Sequence, residues 1–134
     1  MNKSFKKQLA ELAWYMHKQC GANIYPYPSV KLNNAPQSGE QIYNSTGHYD
    51  PTAKVIVLFT HGRHPKDILR SFAHELYHHH QNLNGEMVME KVGEGGSDPK
   101  YAQTNAHLRK LEMEAYMHGN IMFRDWTDNK KYKQ

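Results

Sequence analysis

Residues 55–81, VIVLFTHGRHPKDILRSFAHELYHHHQ, carry a whole strand–loop–helix unit. The run Val55-Ile56-Val57-Leu58-Phe59 is the strongest strand signal in the chain, because branched and aromatic side chains suit a pleated surface. His61-Gly62-Arg63-His64 interrupts it, and Pro65 is well placed to open a helix, where its missing N–H is no loss. From about Lys66 to Leu83, the residues Leu69, Phe72, Ala73, Leu76 and Leu83 form an apolar stripe at helical spacing. HELYHHHQ, residues 74–81, therefore lies inside a helix packed against a sheet.

Towards the N-terminus, the segment from Ile42 to Phe59 reads as a hairpin. Tyr43 to Tyr49 form its first strand, and Asp50-Pro51-Thr52 its turn. A further strand is expected near Ser29–Leu32, after GANIYPYPSV, where Pro26 and Pro28 forbid helix. Residues 4–19 space Phe5, Leu9, Leu12, Ala13 and Met16 by threes and fours, an amphipathic helix with a lysine-rich outer face. On the C-terminal side, Gly85, Gly93, Gly95, Gly96 and Pro99 make residues 84–104 a long, mobile connection. A last helix is expected from about Asn105 to Trp126, with the polar, basic residues 127–134 fraying. The expected fold class is α+β: an N-terminal helix, a small mostly antiparallel sheet with a hairpin, the HELYH helix and a C-terminal glutamate-bearing helix.

At 134 residues the chain suits one domain over 1–134. Its charge of +4 is concentrated at the two ends, in Lys3, Lys6, Lys7, Lys130, Lys131 and Lys133, as solvated termini usually are. The single cysteine, Cys20, excludes an intramolecular disulfide and fits a reducing compartment. The N-terminal residues lack the apolar core of a secretory signal, and no stretch approaches a membrane span. A soluble, cytoplasmic protein without membrane contact is expected.

Within HELYH, His74 and His78 are four residues apart and share one helix face, close enough to grip one cation through their imidazoles. Glu75 points to the side of that pair and can reach a metal-held water without taking a coordination position, as a general base must. His79 and His80 leave this face. His79, four after Glu75, is a candidate for a supporting hydrogen bond, and His80 for a core-edge histidine satisfied by backbone. Gln81, three after His78, can hydrogen-bond near the site.

A catalytic zinc site takes three protein ligands, so a third must come from AHLRKLEMEAYMHGNIMF, residues 106–123. Its candidates are His107, Glu112, Glu114 and His118. Leu108, Leu111, Ala115, Gly119, Met122 and Trp126 trace a buried face, and Glu112 falls inside that arc. A carboxylate there needs a partner, since burying it unpaired is costly, and zinc supplies one. Glu114 projects to the other side with Lys110, a surface pair. Glu112 is the favoured ligand, one Zn2+ per chain the expected cofactor, and Gly119 would let the two helices approach closely. Tyr116, four after Glu112, is a candidate donor to an oxyanion or to His74.

With these residues in place the chain resembles a minimal zincin metallopeptidase of the gluzincin kind. HELYH matches the HExxH helix, and LEMEAY resembles the signature whose first glutamate binds zinc, which carries that role to Glu112. GHYDPTAKVIVLF followed by SFAHELYHHHQ is similar to the strand–loop–helix run of ImmA/IrrE-type peptidases and related small phage and prophage zincins. The resemblance spans roughly residues 42–123. Tyr116 departs from it, standing where many gluzincins carry an aspartate or asparagine. HGNIMF, residues 118–123, is similar to a segment of SprT-like proteases whose histidine is the third ligand, but His118 comes later after His78 than in that family.

The expected function is a zinc-dependent endopeptidase with Glu75 as base and a protein or peptide as substrate. An extended substrate would pair with an edge strand, either Val55–Phe59 or its hairpin partner. The alternatives are a SprT-like, DNA-associated protease and a non-catalytic, metal-containing interaction module on a peptidase scaffold. No aromatic-basic motif supports nucleic acid as partner, and a structural site has no use for the glutamate at position 75.

Overall fold

In a computed structural model, strand β3 (Val55–Phe59) is the middle of a three-stranded sheet. The structure describes residues 3–35, 46–87 and 106–132. Strand β1 (Ser29–Asn33) pairs with β3 in parallel, from Ser29 opposite Val55 to Asn33 opposite Phe59. Strand β2 (Gly47–Asp50) runs antiparallel on its other side, from Gly47 opposite Leu58 to Asp50 opposite Val55. The sheet is thus mixed, and the expected antiparallel majority is corrected. The hairpin sends the chain out and back between β1 and β3, so β3 starts at the same end as β1. The expected strand residues 43–45 lie outside the described residues.

The hairpin turn is held by Asp50, whose Oδ1 accepts from the N–H groups of Thr52 at 2.9 Å and Ala53 at 3.1 Å. Ile56 and Leu58 on β3 are fully buried under the helices, while Val55, Val57 and Phe59 on the other face are half-buried, the alternation of a sheet covered on one side.

Helix α1 (Lys3–Lys18) buries Phe5, Leu9, Leu12, Ala13 and Met16, the stripe read from its spacing. Helix α2 (Pro65–Leu83) starts at His64, whose ring Nδ1 accepts from Lys66 N–H at 3.0 Å, with Pro65 in the first helical position. It ends where Gly85 takes φ +76° and Glu86 N–H donates to Gln81 O at 2.9 Å, a Schellman closure. Ile68, Leu69, Phe72, Ala73 and Leu76 face the shared core.

Helix α3 (Ala106–Tyr132) packs along α2 through Leu111, Ala115, Gly119, Phe123 and Trp126. It runs past the expected end at Trp126. Residues 127–132 stay helical, and Lys130 reaches Glu11 on α1 at 3.3 Å while lying over the Trp126 ring at 4.8 Å. The contact with Glu11 on α1 is tertiary, invisible to a composition-based reading of a basic tail. Most of the expected connection, residues 88–104, lies outside the described residues. No helix of the described residues is long and apolar enough to cross a membrane.

Candidate metal centre

His74 and His78 stand one turn apart on α2 with ring centroids 4.9 Å apart and planes nearly perpendicular, at 87°. Helix α3 brings Glu112 across from the facing side. His74 Nε2–H donates to Glu112 Oε1 at 2.7 Å, and Glu112 Oε2 lies 3.2 Å from His78 Nε2. These hydrogen bonds hold the Glu112 carboxyl well below the usual carboxylate range, against the effect of its partial burial.

The helices can meet here because α3 presents Gly119 to His74. A Cβ at position 119 would fall 3.0 Å from His74 Cα and 3.1 Å from His74 N, so any other residue would force the two helices apart by a few tenths of an ångström.

The donor atoms of His74, His78 and Glu112 all lie within 4.8 Å of one another. Atoms bound at tetrahedral positions on zinc stand ~3.3 Å apart, so the three could hold such an ion once drawn closer together. Two imidazoles and one carboxylate leave a fourth position for water or substrate. Glu112 is nonetheless not on the buried face: its side chain is 61% exposed, and that of Glu114 only 27%. From this exposed position the Glu112 carboxylate still reaches both imidazoles. Glu114 keeps to Lys110, at 3.9 Å.

Glu75 is buried beside this group. Burial pushes its carboxyl up from the ordinary value, with Glu112 adding to the rise and the His78 and His74 imidazoles opposing it. Glu75 and Glu112 line two clefts. One, of about 700 Å³, is lined by Arg63, Arg70, His74, Tyr116 and Asn120. The other, of about 350 Å³, is lined by His48, Tyr49, His78, Met87 and Leu108. Gly47, at the start of edge strand β2, borders both. A Cβ on it would meet Val57 O at 2.7 Å and Glu75 Cγ at 3.6 Å, so β2 runs close over the glutamate.

Comparison with protein-family models, with curated proteins and with solved structures finds no match.

Tyr116 lies at the mouth of the larger cleft, exposed, its ring 6.2 Å from that of His74. Gln81 is fully buried, with His78 Nδ1–H donating to its Oε1 at 2.8 Å and its own Nε2 donating to Leu111 O at 2.9 Å. His80 accepts at Nδ1 from Asn23 N–H at 2.7 Å, a histidine satisfied by backbone. His79 corrects its expectation. It turns from the site to the sheet, donating Nε2–H to Pro26 O at 2.7 Å and accepting from the Tyr49 hydroxyl at 2.6 Å. One residue past His78 is about 100° further round the helix, which here means towards β2. His107 Nε2–H donates to Glu86 O at 2.6 Å, and His118 stacks on Tyr77 at 5.2 Å, so both are engaged away from the group.

Arg63, part of the loop before α2, is a site residue that no sequence motif marks. Its guanidinium donates to Thr46 O (3.0 Å), Phe59 O (2.7 Å), Asp67 O (2.9 Å) and Ser71 Oγ (2.7 Å), tying β2, β3 and α2 together at the wall of the larger cleft. No spacing rule marks such a residue. Gly47, by contrast, carried a signal, since a glycine inside the expected strand Tyr43–Tyr49 often marks a close backbone approach.

Proposed function

We propose that the chain is a zinc-dependent endopeptidase, a minimal gluzincin-like zincin in which His74, His78 and Glu112 would hold the ion. The observation that carries this reading is the convergence of His74 Nε2, His78 Nε2 and the Glu112 carboxylate beside a buried Glu75 that lines two clefts. A bound zinc supplies Lewis acidity for the scissile carbonyl and lowers the pKa of water to roughly 7. The Glu75 carboxylate takes the proton of the attacking water and returns it to the leaving amine. Its raised pKa suits both halves of that task, because a base that must later act as an acid works best near neutrality.

The substrate is read as an extended peptide. β3 is the central strand and cannot serve as the docking edge, whereas its hairpin partner β2, which runs close to Glu75, is an edge strand among the described residues. Two clefts that share the base in their linings suit a substrate extending beyond the scissile bond. Tyr116 is the candidate to donate to the developing oxyanion. The SprT-like alternative would need His118 as a ligand, and its ring is stacked on Tyr77.

Metal analysis and a peptide-hydrolysis assay test the proposal together. About one zinc per chain is expected, with its loss in His74→Ala and His78→Ala. Glu75→Gln should keep fold and zinc and lose hydrolysis by roughly 100-fold or more. A protein that takes up no zinc at neutral pH, or a Glu75→Gln variant of wild-type turnover, would overturn it.

A further inference from the structure

We infer that Gln81 is a positioning residue that fixes the tautomer of His78 and at the same time anchors the helix bearing Glu112. The inference deepens the metal-centre reading and rests on it for its effect on zinc, though not for the tautomer.

Leu111 sets the orientation of the Gln81 amide. Its backbone carbonyl can only accept, so the Gln81 group 2.9 Å away is the amide NH2. The amide orientation is thereby set, and the atom 2.8 Å from His78 Nδ1 is the carbonyl Oε1. That oxygen carries no hydrogen, so the proton between them belongs to His78 Nδ1. A neutral imidazole with its proton on Nδ1 has its lone pair on Nε2, the atom turned to Glu112. In the neutral ring that lone pair faces Glu112 Oε2 at 3.2 Å, an approach relieved by a proton on Nε2 or by the ion of the proposed centre.

The other end of the amide acts on the partner helix. Leu111 immediately precedes Glu112, so the bond from Gln81 Nε2 pins α3 one residue from the carboxylate. One side chain thus orients the ring on α2 and sets the backbone on α3. Gln81 is fully buried, where an unmade hydrogen bond is costly, so the amide cannot rotate without losing both contacts. Groups behind metal ligands commonly contribute 10–100-fold in affinity through orientation and tautomer control.

Ring nitrogen shifts of His78 and zinc affinity, measured on the full chain, test this. At alkaline pH with zinc removed and the ring neutral, wild type should show His78 protonated on Nδ1. Gln81→Met should shift the ring towards the Nε2-protonated form and weaken zinc binding by roughly 10–100-fold. Gln81→Glu retains an acceptor for His78 but loses the donor to Leu111, so it should keep the Nδ1 proton and bind zinc better than Gln81→Met. This rescue separates orientation from mere packing, because a carboxylate is the worse filler of a buried apolar contact. An Nε2-protonated His78 in wild type would overturn the inference, whether or not zinc binds. So would a folded Gln81→Met variant with wild-type zinc affinity. A wild type that shows the Nδ1 proton yet takes up no zinc would sink the metal reading and leave the tautomer assignment standing.

Discussion

Glu112 and Glu114 are two residues apart on one helix, yet only Glu112 meets the imidazoles, and it is the more exposed of the pair. Burial on the apolar face was therefore the wrong reason for choosing it; reach across the helix–helix groove is what distinguishes it. Glu112→Ala should weaken zinc binding steeply and make the thermal midpoint insensitive to added zinc, because stabilisation by a ligand follows its affinity for the folded state. Glu114→Ala removes one side of a partly exposed pair with Lys110 and should cost about 0.3–0.5 kcal/mol, leaving zinc affinity unchanged. Zinc titration of both variants decides between them, and the reverse pattern would mean that α3 is rotated from the position described.

At the scale of elements, the decisive contact is Gly119 of α3 against the backbone of His74. Glycine to alanine inside a helix ordinarily gains about 1 kcal/mol of propensity. Here the added methyl would meet Cα and N of α2, atoms that cannot swing aside, and overpacking of this kind costs about 1–3 kcal/mol. Gly119→Ala should accordingly be destabilised in urea unfolding, and zinc affinity should fall with it as Glu112 is carried away from the histidines. A stabilised variant with unchanged zinc affinity would show that the helices do not approach this closely. Gly47 plays the corresponding part in the sheet: Gly47→Ala would press on Val57 O at 2.7 Å and push the start of β2 off Glu75, lowering hydrolysis while sparing zinc content.

For the whole molecule, His79 links fold stability to pH. Burial lowers its pKa, and it lowers that of His80 as well. A histidine kept neutral in the folded state binds fewer protons than in the unfolded chain. Its contribution is therefore present above the unfolded value of about 6.5 and declines as pH falls below it. The His78 pKa is raised, a net result in which burial lowers it and Glu112 and Glu75 outweigh that, so its contribution has the opposite sign, present at low pH and lost as pH rises. The two are separated by substitution. In zinc-free protein, His79→Gln should lower stability at pH 7.5 and flatten its decline between pH 7.5 and 5.5, read from urea midpoints. An unchanged pH dependence would mean that His79 takes up its proton in the folded state.

Sequence alone determined what depends on neighbours along the chain. The stripe of α1, the β-branched run of β3, the proline opening α2 and the shared face of His74 and His78 all follow from periods of 2 and 3.6 residues, fixed by backbone geometry. Tertiary structure alone decided the rest. The parallel pairing of β1 with β3, the central place of β3 and the helical continuation to Tyr132 come from contacts between distant segments. So do the clamp of Arg63, the turn of His79 to the sheet and the bond from Gln81 to Leu111. Helical spacing gives the angle at which a side chain leaves its own axis. The position and tilt of the neighbouring axis, set here by a glycine against a histidine backbone, determine which side chain it meets.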